Sequence, residues 1–320
     1  MPSQKKFDVS VVGELNVDLV LYDLPGQFEL DREYLASNMS VTLGSSSAIF
    51  AHNLSRMGNR VGFHSAIGDD AFGQMCLDRL VEAGVDVSAI KRFSGKQTGI
   101  TVVLPQPEKR FILTYPGVMD EMRFEDLDLH RLTQAGHLHL SSYFLQKALR
   151  PRVAELFRYA KQAGLSTSLD TNDDPQDHWE PDFLEVFPSV DVLLPNEREA
   201  MRLAGIADPI RSLDFLAARV PLVVMKRGEQ GAVAQRGNDR LDAMPPKVAT
   251  VDTIGAGDSF DAGFLHQFIR GAKIEECLRF GNLAGALSTT RTGGTEAFRD
   301  AAYRNAFLAE GKSAVLPRVG

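Results

Sequence analysis

One short segment of the chain combines two glycines with a carboxylate directly in front of an apolar helix. Residues 252–264 read DTIGAGDSFDAGF, and Gly255 and Gly257 let the backbone turn tightly and approach a ligand closely. The free amides at the start of the helix would form an anion site that suits a phosphate. Asp258 lies in the same turn, where a carboxylate could accept a proton from an attacking hydroxyl. An ordinary helix cap uses the same residue types, and spacing alone favours that explanation.

Other ligand motifs fail on inspection. The sequence has no G-x(4)-G-K-[S/T] phosphate loop, and the third glycine of a dinucleotide-binding G-x-G-x-x-G falls on Phe260. Residues 170–174 begin like a calcium loop, but Pro175 occupies the position of the required glycine. His137 and His139 alternate along a predicted strand, and we expect them to pack there rather than bind a ligand. The glycine loop is therefore the strongest local signal.

The elements around this loop alternate between strands and helices. Phe260, Phe264 and Phe268 recur at four-residue spacing and mark the buried face of the helix after the loop. The alternation predicts a parallel sheet covered by helices on both faces. Two hairpin-like segments, 14–42 and 95–117, interrupt it, and we expect them to pair into one small accessory sheet. The predicted strands of the main sheet cover 9–12, 60–67, 136–140, 165–170, 190–194 and 221–226; the second accessory segment holds strands at 97–104 and 109–114; the predicted helices cover 44–57, 71–83, 123–134, 147–163, 196–204, 210–219, 257–270 and 273–289.

Length and composition are those of an ordinary folded protein. The 320 residues correspond to one large α/β unit or about two domains. Hydrophobic residues make up 44% and charged residues 24% of the chain, which excludes a disordered chain, a coiled coil and a disulfide-stabilised miniprotein. The formal net charge of −7 argues against a broad basic face for nucleic acid.

Cysteine usage and the first residues bear on the compartment. Cys76 and Cys277 form no CxxC pair, and we expect two reduced thiols in the core. No apolar stretch of signal-peptide length follows the lysines near the amino terminus, and no apolar run approaches the ~18 residues that a membrane helix needs. The sequence therefore predicts a cytoplasmic protein with no membrane partner.

Taken together, the motifs resemble those of the ribokinase-like (PfkB) carbohydrate kinases. Residues 252–264 resemble the family's C-terminal signature, and further motifs follow the family's order over nearly the whole chain. These are the sugar-binding strand Gly13–Asp18, the glycine turn and helix Gly44–Gly58, the G-x-D-x-x-G segment Ile67–Gly73, the N-x-x-E within Leu194–Glu199, the nucleotide loop Lys226–Ala232 and the adenine-side helix Asn282–Ala286. The resemblance implies an ATP-dependent sugar kinase.

The family's architecture also explains the accessory segments. It implies an α/β, three-layer fold with a mostly parallel central sheet, plus a small β lid that closes over a sugar at the sheet edge. The large domain would comprise 1–14, 43–94 and 118–320, and the lid 15–42 and 95–117. We expect a homodimer formed through the lid, because exposed sheet edges usually need cover.

The resemblance assigns roles to individual residues. Asp258 would be the base that accepts the sugar hydroxyl proton, and the amides of Gly255, Ala256 and Gly257 would form the anion hole. The acceptor would contact Asn16, Asp18, Gly44, Ser45, Arg110, Asp170 and Asn172, and the nucleotide would contact Asn196, Lys226, Gly228, Gly231 and Asn282.

Two of these assignments have alternatives. Asn16 and Asp18 lie two apart on a predicted strand, so both face one side, which suits a vicinal diol or a solvated lid face. Asn196 and Glu199 would support Mg²⁺ and phosphate through water, or simply cap a helix. Asp252 would help to hold a monovalent cation such as K⁺.

The sequence departs from the family pattern at the acceptor site. Ile49 stands where the family often has a sugar-binding asparagine, which makes ribose itself doubtful; Asn53, one turn later, is a hypothetical replacement. Asp174 stands where acidic-sugar kinases tend to have an arginine, and Arg110 could supply that charge. The acceptor stays open, and the alternatives are a nucleoside kinase of the same fold and an inactive sugar-binding regulatory protein.

Overall fold

The structure is a computed structural model that describes residues 5–106 and 110–313, so residue 109 of the predicted strand 109–114 lies outside the described residues. The described strands are β1 Phe7–Val12, β2 Asn16–Tyr22, β3 Asn38–Leu43, β4 Val61–Gly68, β5 Asp86–Phe93, β6 Gly99–Pro105, β7 Arg110–Tyr115, β8 Ala135–Ser141, β9 Ser166–Asp170, β10 Val192–Leu193, β11 Leu222–Lys226, β12 Ala232–Arg236 and β13 Asp239–Ala243. The described helices are α1 Ser46–Arg56, α2 Ala71–Ala83, α3 Leu129–Leu132, α4 Val153–Gln162, α5 Glu197–Ala204, α6 Pro209–Ala217, α7 Ala256–Phe268, α8 Ile274–Ser288, α9 Glu296–Arg299 and α10 Ala301–Ser313.

The large sheet has nine described strands in the order β13-β12-β11-β10-β9-β8-β1-β4-β5. The strands from β11 to β5 pair in parallel, and β12 and β13 add an antiparallel edge. Apolar side chains project from both faces of the sheet. Leu138 and Leu140 join a core with α4, α5 and α6, whereas Val9 and Val11 join a second core with α1, α2 and α7. The predicted three-layer, mostly parallel α/β fold is confirmed.

Helices α7 and α8 pack unusually closely, which fixes the start of α7 against the rest of the molecule. A Cβ at Gly263 would lie 2.6 Å from the Cβ of Ala284, and one at Gly281 would lie 2.9 Å from the ring of Phe260. Glycine at both positions lets the two helices approach, so the glycine loop before α7 is carried by a rigid helix pair.

The two interrupting segments join into one four-stranded sheet, as predicted. Its order is β3-β2-β6-β7, with antiparallel pairs at both edges and a parallel β2–β6 pair in the centre. β3 extends one residue beyond the predicted boundary at 42. The division into a large domain and a lid at the stated boundaries stays a prediction.

Several predicted elements differ from the observed ones. The helix predicted at 123–134 consists of a 3₁₀ turn at Phe124–Asp126 and the one-turn α3, and the helix predicted at 147–163 begins as α-helix only at Val153. Pro151 explains the late start, since proline cannot donate a helix hydrogen bond. The missed strands are β5, β12 and β13; β5 and β13 are edge strands with exposed polar residues and give no buried apolar run. No described helix is long and apolar enough to cross a membrane.

Candidate active site

The polar residues identified in the sequence gather at the carboxyl-terminal edge of the large sheet. β1, β8, β9 and β11 end there, and α7 begins beside them. Ligands of open α/β sheets bind at this edge, because the loops that follow neighbouring parallel strands converge there. Asp170 is the last residue of β9 and Lys226 the last of β11, so strand pairing brings their side chains together.

The conformation of the glycine loop before α7 is fixed by a glycine with a positive φ and by the side chain of Asp252. Gly255 has a φ of +71°, and a Cβ there would lie 2.6 Å from the Cα of Gly294, so only glycine fits. The carboxylate of Asp252 accepts hydrogen bonds from the amides of Ile254 and Gly293, both at 2.9 Å. These contacts fix the loop against the turn after α8. The monovalent-cation role of Asp252 stays a prediction.

The first turn of α7 has no side-chain cap, a feature that it shares with α4 and α9. Side chains cap α1, α2, α5 and α6, whereas no described side chain caps α7. The amide of Ala256 donates to the carbonyl of Thr253 at 3.3 Å, so the amides of Gly257 and Asp258 are the first-turn donors left for a ligand. An uncapped helix start with the positive end of its dipole behind it suits a phosphate.

Asp258 lies half-buried in this first turn. The pKa of its carboxyl is raised to about 7: removal from water and the carboxylate of Asp170 raise it, while the Lys226 ammonium and the Ser46 hydroxyl oppose the shift. A carboxylate with this pKa is substantially ionised at neutral pH and holds an accepted proton more firmly than an exposed aspartate does. Both properties suit a general base.

A buried ion network lies behind the glycine loop. The Nζ of Lys226 is 2.7 Å from Oδ2 of Asp170 and 2.9 Å from Oδ2 of Asp261. Burial lowers the pKa of Lys226, but these carboxylates outweigh it and raise the pKa overall, so the ammonium stays charged. Because Nζ is directed to the two carboxylates, the nucleotide contact expected of Lys226 stays a prediction.

Asn172 extends this network toward α1. With its side-chain nitrogen facing Asp170, it donates to both carboxylate oxygens at 2.9 and 3.1 Å, and its oxygen lies 2.8 Å from the hydroxyl oxygen of Ser142 and 2.6 Å from that of Ser46. Asn172 and Ser142 have φ of +53° and +56°, which non-glycine residues rarely adopt. Such backbone strain concentrates at functional sites.

The small sheet contributes a second carboxylate. The side-chain nitrogen of Asn16 donates to Oδ1 of Asp18 at 3.2 Å and to Oγ1 of Thr101 at 2.9 Å. Burial raises the pKa of Asp18 to about 7; the Asn16 hydrogen bond opposes this, and the charge of Asp258 adds to it. The two carboxylates are therefore close enough to influence each other. Gly44 makes room for Asp18, since a Cβ there would lie 2.1 Å from its Oδ1.

Two expected acceptor contacts have other partners. Ser45 has a φ of +70°, donates from its hydroxyl to the carbonyl of Glu14 at 2.6 Å and accepts from the amide of Ala48 at 3.0 Å, so it caps α1. Arg110 is exposed on β7 and donates to Oγ1 of Thr253 at 3.3 Å. The lid arginine therefore reaches the glycine loop, and the acceptor roles of both residues stay predictions.

Asn196 and Glu199 form a reciprocal helix cap. The Glu199 carboxylate accepts from the amide of Asn196 at 2.8 Å and from its side-chain nitrogen at 2.6 Å, and the Asn196 side-chain oxygen accepts from the amide of Glu199 at 2.9 Å. Burial raises the pKa of Glu199 to about 8, and the Asp170 carboxylate adds to the shift. The structure confirms the capping alternative, and the roles of Asn196 and Glu199 toward Mg²⁺ and phosphate stay predictions.

The expected nucleotide loop contains two glycines with a positive φ. Gly228 has a φ of +56° and Gly231 a φ of +78°. A Cβ at Gly231 would lie 2.0 Å from the carbonyl oxygen of Ala243, which also accepts from the side-chain nitrogen of Asn282 at 2.8 Å. These contacts bring the loop, the end of β13 and α8 together at one place.

Comparison with known proteins identifies the family. Residues 6–301 match the pfkB family of carbohydrate kinases. The chain belongs to this family. An ATP-dependent ribose-1-phosphate kinase of Halopiger xanaduensis is 30% identical over 289 residues, covering 89% of this chain and 93% of that protein.

Two solved structures are similar throughout. The Arabidopsis thaliana ribokinase complexed with ribose and ATP is 25% identical, with a TM-score of 0.80, and the match covers 94% of this chain and 98% of that one. The adenosine kinase from Sinorhizobium meliloti is 24% identical, with a TM-score of 0.83, and the match covers 94% and 99%.

Membership of the pfkB family confirms the prediction of a phosphotransferase that acts on an alcohol group. Sequence reasoning nevertheless missed residues that this pfkB chain places in the site. The buried Glu14 accepts from the hydroxyls of Ser47 at 2.6 Å and Ser142 at 2.8 Å. Asp261 is the second partner of Lys226. Its position three residues after Asp258 was an available signal, because residues at this spacing lie on one side of a helix.

Asn53 is placed away from the expected sugar contact. Its side-chain nitrogen donates to Oγ of Ser259 and the carbonyl of Gly294, both at 2.9 Å, and its oxygen is 2.8 Å from Nδ1 of His52. The nitrogen thus joins α1 to α7 and to the turn after α8, while the oxygen is occupied within α1. The structure does not support the hypothesis that Asn53 replaces the missing asparagine at position 49.

Proposed function

We propose that this pfkB-family protein is an ATP-dependent, Mg²⁺-requiring kinase that transfers the γ-phosphoryl group to a hydroxyl of a small carbohydrate. The observation that carries the proposal is Asp258: a half-buried carboxylate with a pKa near 7 that lies in the uncapped first turn of α7, directly after a glycine loop. A base and an anion site in one turn are what hydroxyl-to-phosphoryl transfer requires.

The residues present fit ATP with Mg²⁺. The amides of Gly257 and Asp258 offer an anion site, and the loop from Gly228 to Gly231 offers a backbone cradle beside Asn282. Within residues 5–106 and 110–313, no cluster of three or more His, Cys, Asp and Glu side chains is arranged to hold a metal. Glu199 would therefore act on Mg²⁺ through water. Bound with ATP, Mg²⁺ neutralises the charge of the phosphates.

In the proposed reaction the side chains and backbone amides have separate roles. Asp258 accepts the proton of the attacking hydroxyl, and the amides of Gly257 and Asp258 stabilise charge on the transferring phosphoryl group. Asn16 and Asp18 bind neighbouring hydroxyls of the acceptor and orient it. The ribose-1-phosphate kinase relative and the ribokinase bound to ribose and ATP support a pentose or its phosphate as the first acceptors to test.

The position of Ile49 does not support the apolar base pocket that a nucleoside kinase would need. A Cβ at Gly294 would lie 2.6 Å from its Cδ1 and one at Gly255 3.1 Å from its Cγ2, so Ile49 is buried against the glycine loop. We therefore retain a carbohydrate as the acceptor.

An acceptor panel tests the proposal. ADP release is measured with pentoses, hexoses, their phosphates and acids, and nucleosides. We expect turnover with a sugar or sugar phosphate and a loss of ~10²–10⁴-fold in kcat for Asp258→Asn, with ATP affinity retained. Asp78→Asn, on the exposed side of α2, is the matched control and should keep full activity. Turnover with nucleosides alone, sugar binding without ADP release, or an active Asp258→Asn variant would each contradict the proposal.

We also propose a homodimer that covers the lid. Phe111, Ile112, Leu113 and Tyr115 on the edge strand β7 are exposed, as is Met39 at the opposite edge. A second copy that pairs with this sheet would bury them. Light scattering at micromolar concentration should give a dimer, and Ile112→Glu should give a monomer; a monomeric wild type refutes the assembly. The cytoplasmic location stays a prediction.

A further inference from the structure

Lys226 takes no direct part in the proposed reaction, yet it lies beside the loop that does. A Cβ at Gly257 would lie 3.7 Å from the Nζ of Lys226, so the ammonium packs directly against the glycine loop. The same nitrogen is held by Asp170 at 2.7 Å and by Asp261, three residues after Asp258, at 2.9 Å. The ion network thus joins the ends of β9 and β11 to the first turns of α7.

A buried ion network is by itself weak evidence of a purely stabilising role. Taking three ionisable groups out of water is costly, and well-packed apolar side chains of similar volume often hold a structure equally well. Burial and the neighbouring Asp170 carboxylate raise the pKa of Asp261 well above its usual value, and Lys226 opposes this shift, so bringing these groups together in the interior is costly. The position of the ion network beneath the glycine loop suggests that the charge of Lys226 acts on that loop.

The ionisable groups around Asp258 are mostly acidic. The ionisable groups that influence it come from four elements: Glu14 follows β1, Asp18 lies on β2, Asp170 ends β9 and Lys226 ends β11. The first three are acidic and the fourth is basic. Without the lysine, the carboxylates around the base would favour its protonated form.

We propose that Lys226 is a positioning residue for Asp258: its ammonium, clamped between Asp170 and Asp261, supports the glycine loop from behind and keeps a positive charge beneath the base. This inference rests on the proposed function, in which Asp258 must be ionised to accept a proton.

The inference is tested by the pH profile of kcat/KM for the acceptor in two variants, one of which removes a positive charge and the other a negative charge. Lys226→Met removes the cation, so the acid limb should move up by about one pH unit, with activity about fivefold lower at pH 7 and recovered by pH 9. Asp170→Asn removes a neighbouring carboxylate, so the acid limb should move down by a similar amount. If Lys226→Met does not fold, the Asp170→Asn profile still decides.

Lys161→Met is the matched control. Lys161 is ion-paired with Asp191 at 2.6 Å but lies outside the proposed site, and its profile should coincide with that of the wild type. A Lys226→Met variant with an unmoved acid limb and a raised KM for ATP would overturn the inference in favour of a nucleotide contact. An unmoved acid limb in Asp170→Asn would also overturn it. An active Asp258→Asn variant would instead show that the proposed function itself is wrong.

Discussion

Gly44→Ala perturbs the acceptor half of the proposed site without altering any polar group. The added Cβ would lie 2.1 Å from Oδ1 of Asp18, 2.5 Å from its Cγ and 3.0 Å from Nδ2 of Asn16. Carbon and oxygen atoms that are not bonded stay more than about 3 Å apart, so the Asp18 carboxylate must shift by about 1 Å. Gly44 does not have a left-handed φ, so alanine introduces the contact without backbone strain.

A shift of this size at a group that orients the acceptor costs about 10²-fold in kcat/KM, equivalent to about 2.7 kcal/mol of transition-state stabilisation. The KM for ATP should not change, because the loop from Gly228 to Gly231 lies on another part of the sheet edge. The assay is ADP release with varied acceptor at saturating ATP, and then with varied ATP.

The control for this experiment is Gly136→Ala in β8. A Cβ there would lie 3.5 Å from the carbonyl oxygen of Asp8, an ordinary contact, and activity should be unchanged. A Gly44→Ala variant that melts like the wild type and keeps its acceptor kcat/KM would refute the placement of Asp18 in the acceptor site. A raised KM for ATP with normal acceptor kinetics would refute the division of the site.

Three further predictions test other parts of the site. Asn53→Ala removes three buried hydrogen bonds and should lower the free energy of unfolding, measured by urea titration, by about 2–4 kcal/mol. The KM for the acceptor should not change, and a raised KM would indicate that Asn53 contacts the sugar after all. The wild-type kcat/KM should fall about tenfold per pH unit below about pH 7, since the pKa of Asp258 is raised to about 7 and the base is lost on protonation; a profile flat down to pH 5 would contradict this. Gly231→Ala should raise the KM for ATP at least about tenfold, because the added Cβ meets the carbonyl oxygen of Ala243. Gly237→Ala, which also has a positive φ but open space, should not; equal effects would show that the contact with Ala243 is not responsible.

The parts of the fold that the sequence predicts are those with local signals. Val9, Val11 and Val12 give β1 because buried parallel strands are continuous apolar runs, and Gly84 and Gly205 end α2 and α5 in the left-handed conformation expected of a C-cap. The hairpin of β12 and β13 gives no such signal, since its second strand is largely exposed and polar.

The site was predictable where a motif is contiguous and not where it depends on tertiary pairing. The glycine loop and Asp258 are adjacent in sequence, so spacing finds them. Ser142 joins Glu14 and Asn172 only because β8 lies between β1 and β9 in the sheet, and nothing in the residues around Ser142 shows this. The same reasoning explains Asn53: its helical spacing from Ile49 was right, but the packing of α1 on α7 turns it toward Ser259.

The proposed site is acidic, although one of its substrates is a polyphosphate. Burial and mutual repulsion raise the pKa of Asp18 and Asp258 to about 7 and that of Glu199 to about 8, so these groups carry less negative charge near neutral pH than exposed carboxylates would. The ammonium of Lys226 is directed to Asp170 and Asp261 and lies behind the glycine loop rather than on its ligand side. Attraction for the phosphates must then come from fixed dipoles of the uncapped α7 and from the cation that accompanies ATP. Backbone dipoles need no reorganisation as charge develops, which is the condition for stabilising a transition state rather than a bound substrate. A chain with a net charge of −7 can thus bind phosphate at one point without a basic surface.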